Sequence, residues 1–205
     1  MAYTDFSLEQ VCKTFHLTMI AATLFPDLAP LLIPAWLQET LAKGRPLALG
    51  SEKARSEFII APILLASRDL SHNQVTVYSG QRLESDPSSG LTGECDFILA
   101  LTQPLPIIQA PIVCIVEAKK NDIDSGFGQC AAQMVGARRL NERDATGLST
   151  IFGCITTGED WQFLKLEADT LAIDTQRYYI NDVGLLLAVF QTIIASYTSA
   201  IAVSC

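Results

Sequence analysis

The 205 residues predict an α/β domain built on one mixed β-sheet with helices packed against it. Three observations carry that expectation. Apolar residues make up 49% of the chain and charged residues only 18%, which suits a chain with a large buried core. Short apolar runs bounded by turn residues, at 95–101, 112–118 and 151–156, read as strands. Segments with apolar residues three and four apart precede and separate them, and read as helices.

In chain order, Ser7 and Gln10 form a capping box, and Leu8, Val11, Cys12, Phe15 and Met19 follow at helical spacing. Pro26 and Pro30 break that helix, Pro34 opens a second, and Gly44 stops it. Residues 1–50 are therefore expected to form a helical N-terminal extension. Ser51 caps a helix reaching Arg68, interrupted at Pro62. Val75 and Val77 suggest a short strand, and Asp86-Pro-Ser-Ser-Gly90 a loop. After the 95–101 and 112–118 strands, a helix opens at Asp124 or Ser125 and runs through Asn141. The 151–156 strand turns at Thr157-Gly158-Glu159-Asp160 into a hairpin partner over 161–166. Residues 51–205 thus read as helix, three strands, helix, strand, and a final apolar helix capped at Asn181-Asp182. With no repeat or flexible linker, one compact domain is expected.

The run 183–203 approaches the roughly 20 residues that cross a bilayer. It contains Gln191, Thr192, Ser196, Tyr197, Thr198 and Ser199 and no flanking basic cluster, so a buried or dimer-forming helix is expected and no membrane contact. The six cysteines form no CxxC pair, and only His16 and His72 are present, which argues against structural zinc. The N-terminus lacks a basic segment followed by an apolar one, so a cytoplasmic location is expected. The net charge is −8, but residues 53–143 hold nine Lys/Arg against ten Asp/Glu, and the acidity lies in the flanks. Bound cations would make the central segment positive.

The run Pro111-Ile-Val-Cys-Ile-Val-Glu117-Ala118-Lys119-Lys120 ends an apolar strand in opposite charges two residues apart, which places Glu117 and Lys119 on one face. Charges at the end of a buried strand need a partner, and a divalent metal is one. Asp96, on the preceding strand, can face Glu117. Two such carboxylates repel unless a cation intervenes, and Mg²⁺ commonly uses one or two. Glu94 shares the parity of Asp96 and competes with it. Glu57 falls on a helical stripe with Ile60, Ala61 and Leu64, where it joins the metal shell or simply pairs with Lys53. Gln129 and Gln133 lie one turn apart on the following helix, and Lys120, Arg138, Arg139 and Arg143 supply basic charge.

Together, the helical Glu57, Gly93-Glu-Cys-Asp96, Val116-Glu117-Ala118-Lys119 and Gln129-xxx-Gln133 resemble the PD-(D/E)XK nuclease superfamily over residues of about 51 to 166. The hairpin from Ile155 to Phe163 is similar to that of restriction-enzyme-like members, including the nuclease domains of type I restriction subunits. The resemblance implies a restriction-endonuclease-like αβββαβ core and Mg²⁺- or Mn²⁺-dependent hydrolysis of DNA, with endonuclease action expected. It implies that Asp96 and Glu117 ligate metal, that Glu57 is a supplementary ligand, and that Lys119 meets the scissile phosphate or attacking water. Gln129 would brace the site, and Gln133 and Lys120 would brace it or contact DNA. Gln133 stands where members with the extended motif often carry Tyr. No DNA-reading domain or strongly basic face is evident, so a protein partner is expected to supply DNA specificity, and a homodimer would offer two sites. The rival expectation is a catalytically weak or inactive nuclease-fold module acting in protein or nucleic-acid assembly. No G-x-S-x-G, P-loop or H-E-x-x-H pattern points to another hydrolase.

Overall fold

A computed structural model describes residues 1–203, with side chains in the last helix described through Tyr197. Cys205 and the side chains of Thr198 and Ser199 lie outside the described residues. Seven strands form one mixed sheet: β1 (Thr18–Ala22), β2 (Thr76–Asp86), β3 (Leu91–Ala100), β4 (Ile112–Ala118), β5 (Ile151–Thr156), β6 (Asp160–Glu167) and β7 (Thr170–Tyr179). Their order is β1-β7-β6-β5-β4-β3-β2, with β1/β7 and β4/β5 parallel and the other neighbours antiparallel. The helices are α1 (Leu8–Thr14), α2 (Ala35–Gly44), α3 (Glu52–Arg55), α4 (Ala61–Leu70), α5 (Phe127–Arg143) and α6 (Val183–Val203). The α/β expectation holds, as does the order helix, three strands, helix, strand.

Two expectations change. The first fifty residues are not all helical, because β1 joins the edge of the sheet. The Ser7 capping box forms in both directions (Ser7 N to Gln10 Oε1 2.8 Å, Gln10 N to Ser7 Oγ 3.2 Å), but the helix it starts ends at Thr14. His16 then takes a left-handed backbone (φ 55°), so Met19 lies on a strand and not one turn further along a helix. Pairing with β7 outweighs the helical spacing of the sequence.

The second change is at Pro62. With no N–H, Pro62 cannot complete an ordinary helical turn. A π-helical turn, Ser56–Ile60, precedes it, closed by Ala61 N–H on Ser56 O. The extra residue shifts the helical phase. Ile59, Ile60, Ile63 and Leu64 become fully buried, whereas the Glu57 side chain turns outward from the apolar stripe assigned to it. The expectation of a buried last helix holds for α6 through Tyr197. Leu186, Leu187, Val189, Phe190, Ile193 and Ile194 pack in the core, and the Tyr197 hydroxyl reaches Thr150 O (2.8 Å) and Val113 O (3.2 Å). The helix is long and apolar enough to cross a membrane, but its apolar surface is largely covered by protein.

The sheet separates two cores. α2, α4 and α6 cover one face with Phe97, Val113, Val116, Trp161 and Phe163, while α1 and α5 cover the other with Ile98, Ile115, Ile155 and Leu164. α5 is fastened to β4 at both ends. Asn141 exchanges two bonds with the backbone of Ile112 (2.8 and 2.7 Å), satisfying polar groups where β4 begins. At the other end of β4, glutamines of α5 reach Glu117 and Lys119.

Candidate functional site

The C-terminal end of β4 brings Asp96, Glu117, Lys119, Gln129 and Gln133 together. β3 and β4 pair with Phe97 opposite Val116, and continuing that register sets Asp96 opposite Glu117. The ladder stops there. In place of a backbone acceptor, Asp96 Oδ2 takes the Ala118 N–H (2.7 Å). On the other side, β2 pairs with β3 at Ser79–Phe97 and Gln81–Cys95 but not at Gly80–Asp96, and Gly80 has a left-handed φ of 62°. A side chain at Gly80 would be strained. Strand alternation breaks at the same point: Cys95 packs with Ile98 and Ala100, not with Phe97 and Leu99 as simple parity predicts.

Glu117 is 1% exposed. Its Oε1 accepts from Lys119 Nζ (2.6 Å) and its Oε2 from Gln133 Nε2 (2.9 Å). Burial, reinforced by the Asp96 charge, pushes its pKa up to about 7 against the pull of Lys119 and Gln133. Burial likewise raises Asp96, offset in part by the Ala118 N–H, with Glu52 and Glu94 adding repulsion. Burial alone would lower the Lys119 ammonium, but the charge and hydrogen bond of Glu117 outweigh it and hold it above its ordinary value. Lys119 is therefore a fixed cation at neutral pH. Its Nζ also donates to Gln129 Oε1 (3.0 Å). Gln133 is fully buried, and its Oε1 is left without a hydrogen-bond partner.

Gly126, just before α5, lets the helix approach this lysine. A Cβ there would lie 2.6 Å from Ile155 Cγ2 and 3.3 Å from both Cγ and Cε of Lys119. Gly126→Ala is expected to lower the unfolding free energy by about 1–3 kcal/mol, the usual range for overpacking. Urea denaturation measures this, and an unchanged midpoint would show that the helix end yields freely.

Glu57 stands apart from Glu117. It pairs with Lys53 at 3.8 Å, one helical turn away, and more than half of its side chain is exposed. It nevertheless lines a cleft of about 430 Å³ with Asp96, Glu94, Glu52, Ser79 and Gly80. Glu52 was not singled out by sequence because an acidic residue directly after Ser51 reads as ordinary helix-start chemistry. Among the described residues, no group of three or more His, Cys, Asp or Glu is arranged to hold a metal ion. Any ion here would rest on one or two carboxylates and keep most of its water, an arrangement Mg²⁺ tolerates.

The remaining basic candidates are peripheral. Lys120 is exposed. Arg138 pairs with Glu142 and bonds Ala168 O, Arg139 holds Asp86 and stacks over Phe15, and Arg143 pairs with Asp144. Arg138 and Arg139 fasten α5 to its surroundings.

The chain is 26% identical over 190 residues to Crinkler effector protein 1 of Rhizophagus irregularis, an alignment covering 82% of this chain and 38% of that protein. The chain thus matches well under half the length of this relative. No protein-family model matches the chain, and no solved structure does.

Proposed function

We propose that this chain is a Mg²⁺-dependent deoxyribonuclease with a restriction-endonuclease-like core, its site formed by Asp96, Glu117 and Lys119. One observation carries the reading: a buried carboxylate, a second carboxylate opposite it in the sheet, and a lysine hydrogen-bonded to the first meet at one strand end beside an acidic cleft. A core does not need this group for packing, and buried charge is costly without compensation.

The donor set fits a hard cation. Asp96 and Glu117 supply carboxylate oxygens, burial and mutual repulsion favour a cation between them, and the unpaired Gln133 Oε1 offers an acceptor for bound water. When bound, Mg²⁺ or Mn²⁺ lowers the pKa of a coordinated water and neutralises charge on a phosphate. Lys119, held by Glu117 and Gln129, places a compact positive charge where negative charge grows on the reacting phosphate or hydroxide. Being protonated, it serves as a cation and not as a general base. Gln133 orients Glu117, and Gln129 orients Lys119. The acidic cleft wall repels a bare phosphate, which makes the dependence on a cation part of substrate binding.

Arg138, Arg139 and Arg143 are engaged in ion pairs within the domain, so DNA selection is expected to come from a partner protein. The alternative, an assembly module without catalysis, is favoured by Glu117 already having both oxygens bonded within the protein. Calorimetric titration with MgCl₂ and MnCl₂ separates the two. The nuclease reading expects saturable binding that disappears in Asp96→Ala with the fold retained. Heat identical in wild type and variant would leave the module reading in its place.

A further inference from the structure

The two edges of the sheet are built differently. β2, at one edge, carries Arg82, Glu84 and Asp86 and a register shift between Glu84 and Asp86. Charges and bulges are the usual guards against an edge strand pairing with another chain. β1, at the other edge, has neither. Its sequence Thr-Met-Ile-Ala-Ala contains no charge and no proline, and its register with β7 is unbroken. Met19 is 52% exposed and Ile20 44%. Beside them, Leu8, Cys12, Leu17 and Met19 line an apolar hollow of about 510 Å³, with Glu9 and Lys13 at its margin.

The backbone specifies what this edge can accept. Thr18 N donates to Asp169 O (2.7 Å), so Thr18 turns its peptide groups toward β7. Successive residues of a strand alternate, so Ile20 and Ala22 do the same while the N–H and C=O of Met19 and Ala21 point away from the sheet. These four groups are spaced to meet another strand.

We propose that β1 pairs antiparallel with β1 of a second copy, about a two-fold axis through Ile20, joining two seven-stranded sheets into one. Met19 of each protomer exchanges two backbone hydrogen bonds with Ala21 of the partner subunit, and Ile20 faces its symmetry mate. Charge selects a second copy over other occupants. With a net charge of −8, the chain brings like charges together at most self-contacts, whereas β1 is uncharged. On α1, Glu9 and Lys13 give each protomer one charge of either sign beside the hollow, so two copies meet there with no net like charge. A strongly basic or acidic partner finds no matching set here. α6, whose apolar residues suggested a dimer surface, is occupied by the core.

Sedimentation of the full chain, with and without a charge at the axis, tests the proposal. Wild type is expected to be a dimer at micromolar concentration. Ile20→Lys, which sets like charges directly opposite each other, is expected to be a monomer with an unchanged circular dichroism spectrum. Cross-linking gives a second readout, in a background with Cys12→Ser and Cys205→Ser. Facing residues of a non-hydrogen-bonded antiparallel pair have Cα atoms about 4.5 Å apart, within disulfide reach. Ile20→Cys is thus expected to form an intermolecular disulfide, and Thr18→Cys, two residues off the axis, is not. A monomeric wild type, a dimer that survives Ile20→Lys, or equal cross-linking at both positions would overturn the proposal. None of these outcomes depends on DNA cleavage, so the dimer and the nuclease reading stand or fall separately.

Discussion

Lys119→Ala is expected to reduce metal-dependent DNA cleavage by about 10²–10³-fold, the usual cost of removing one preorganised stabiliser of transition-state charge. The fold should survive, because Glu117 retains its bond from Gln133 and can become protonated when its cation partner is lost. Lys119→Arg should not rescue the activity. The lysine stem lies close to Gly126, and a planar guanidinium needs a wider slot than an ammonium. Initial rates at saturating Mg²⁺, with circular dichroism as the folding control, measure both variants. Rescue by arginine would mean that any positive charge suffices and that the packing around Lys119 is incidental.

Glu117→Gln is expected to have opposite effects on activity and stability. Cleavage should fall at least as far as in Lys119→Ala, because a metal-binding carboxylate is lost. Stability should rise at alkaline pH. With a pKa raised from 4.5 to about 7, Glu117 holds its proton in the folded protein over a range in which the unfolded chain has released it. Its contribution is therefore full below the unfolded value and is lost as pH climbs through the folded one. The ceiling on that loss is about 3 kcal/mol, and the surviving Lys119 contact makes the realised effect smaller. Metal-free wild type should thus lose stability between pH 5 and pH 8, and the variant should lose less. Urea unfolding at the two pH values decides the matter. A variant destabilised equally at both would make Glu117 a structural ion-pair partner.

The parts of this molecule that were legible in the sequence are those governed by local chemistry. The β4 and β5 strands are mostly apolar runs, with Glu117 near the end of one and Thr156 at the end of the other, and their bounds match the reading residue for residue. Ser7, Ser51 and Asp182 act as the caps their positions suggest. The pairing of Glu117 with Lys119 follows from strand alternation, and the reach of Gln129 and Gln133 from helical spacing. Features set by tertiary contacts or by a slip of phase were hidden. β1 carries a helix-like spacing that pairing with β7 overrides. β7 escaped notice because its buried residues do not alternate: Leu171 and Ala172 are buried side by side, and the buried Asp174 is satisfied by Leu24 N, Gln176 N and the Tyr178 hydroxyl. The outward turn of Glu57 and the place of Glu52 in the cleft depend on the π-helical turn before Pro62. Nothing in the spacing of those residues encodes it.

Cleavage by the purified wild-type chain, assayed on single-stranded, duplex and branched DNA with Mg²⁺ or Mn²⁺ beside Asp96→Asn, tests the central claim most directly. Metal-dependent hydrolysis of at least one substrate, abolished by EDTA and absent in the variant, is the predicted result. A folded wild-type protein that leaves every substrate intact with both metals, or an Asp96→Asn variant that cuts as well as wild type, would contradict it.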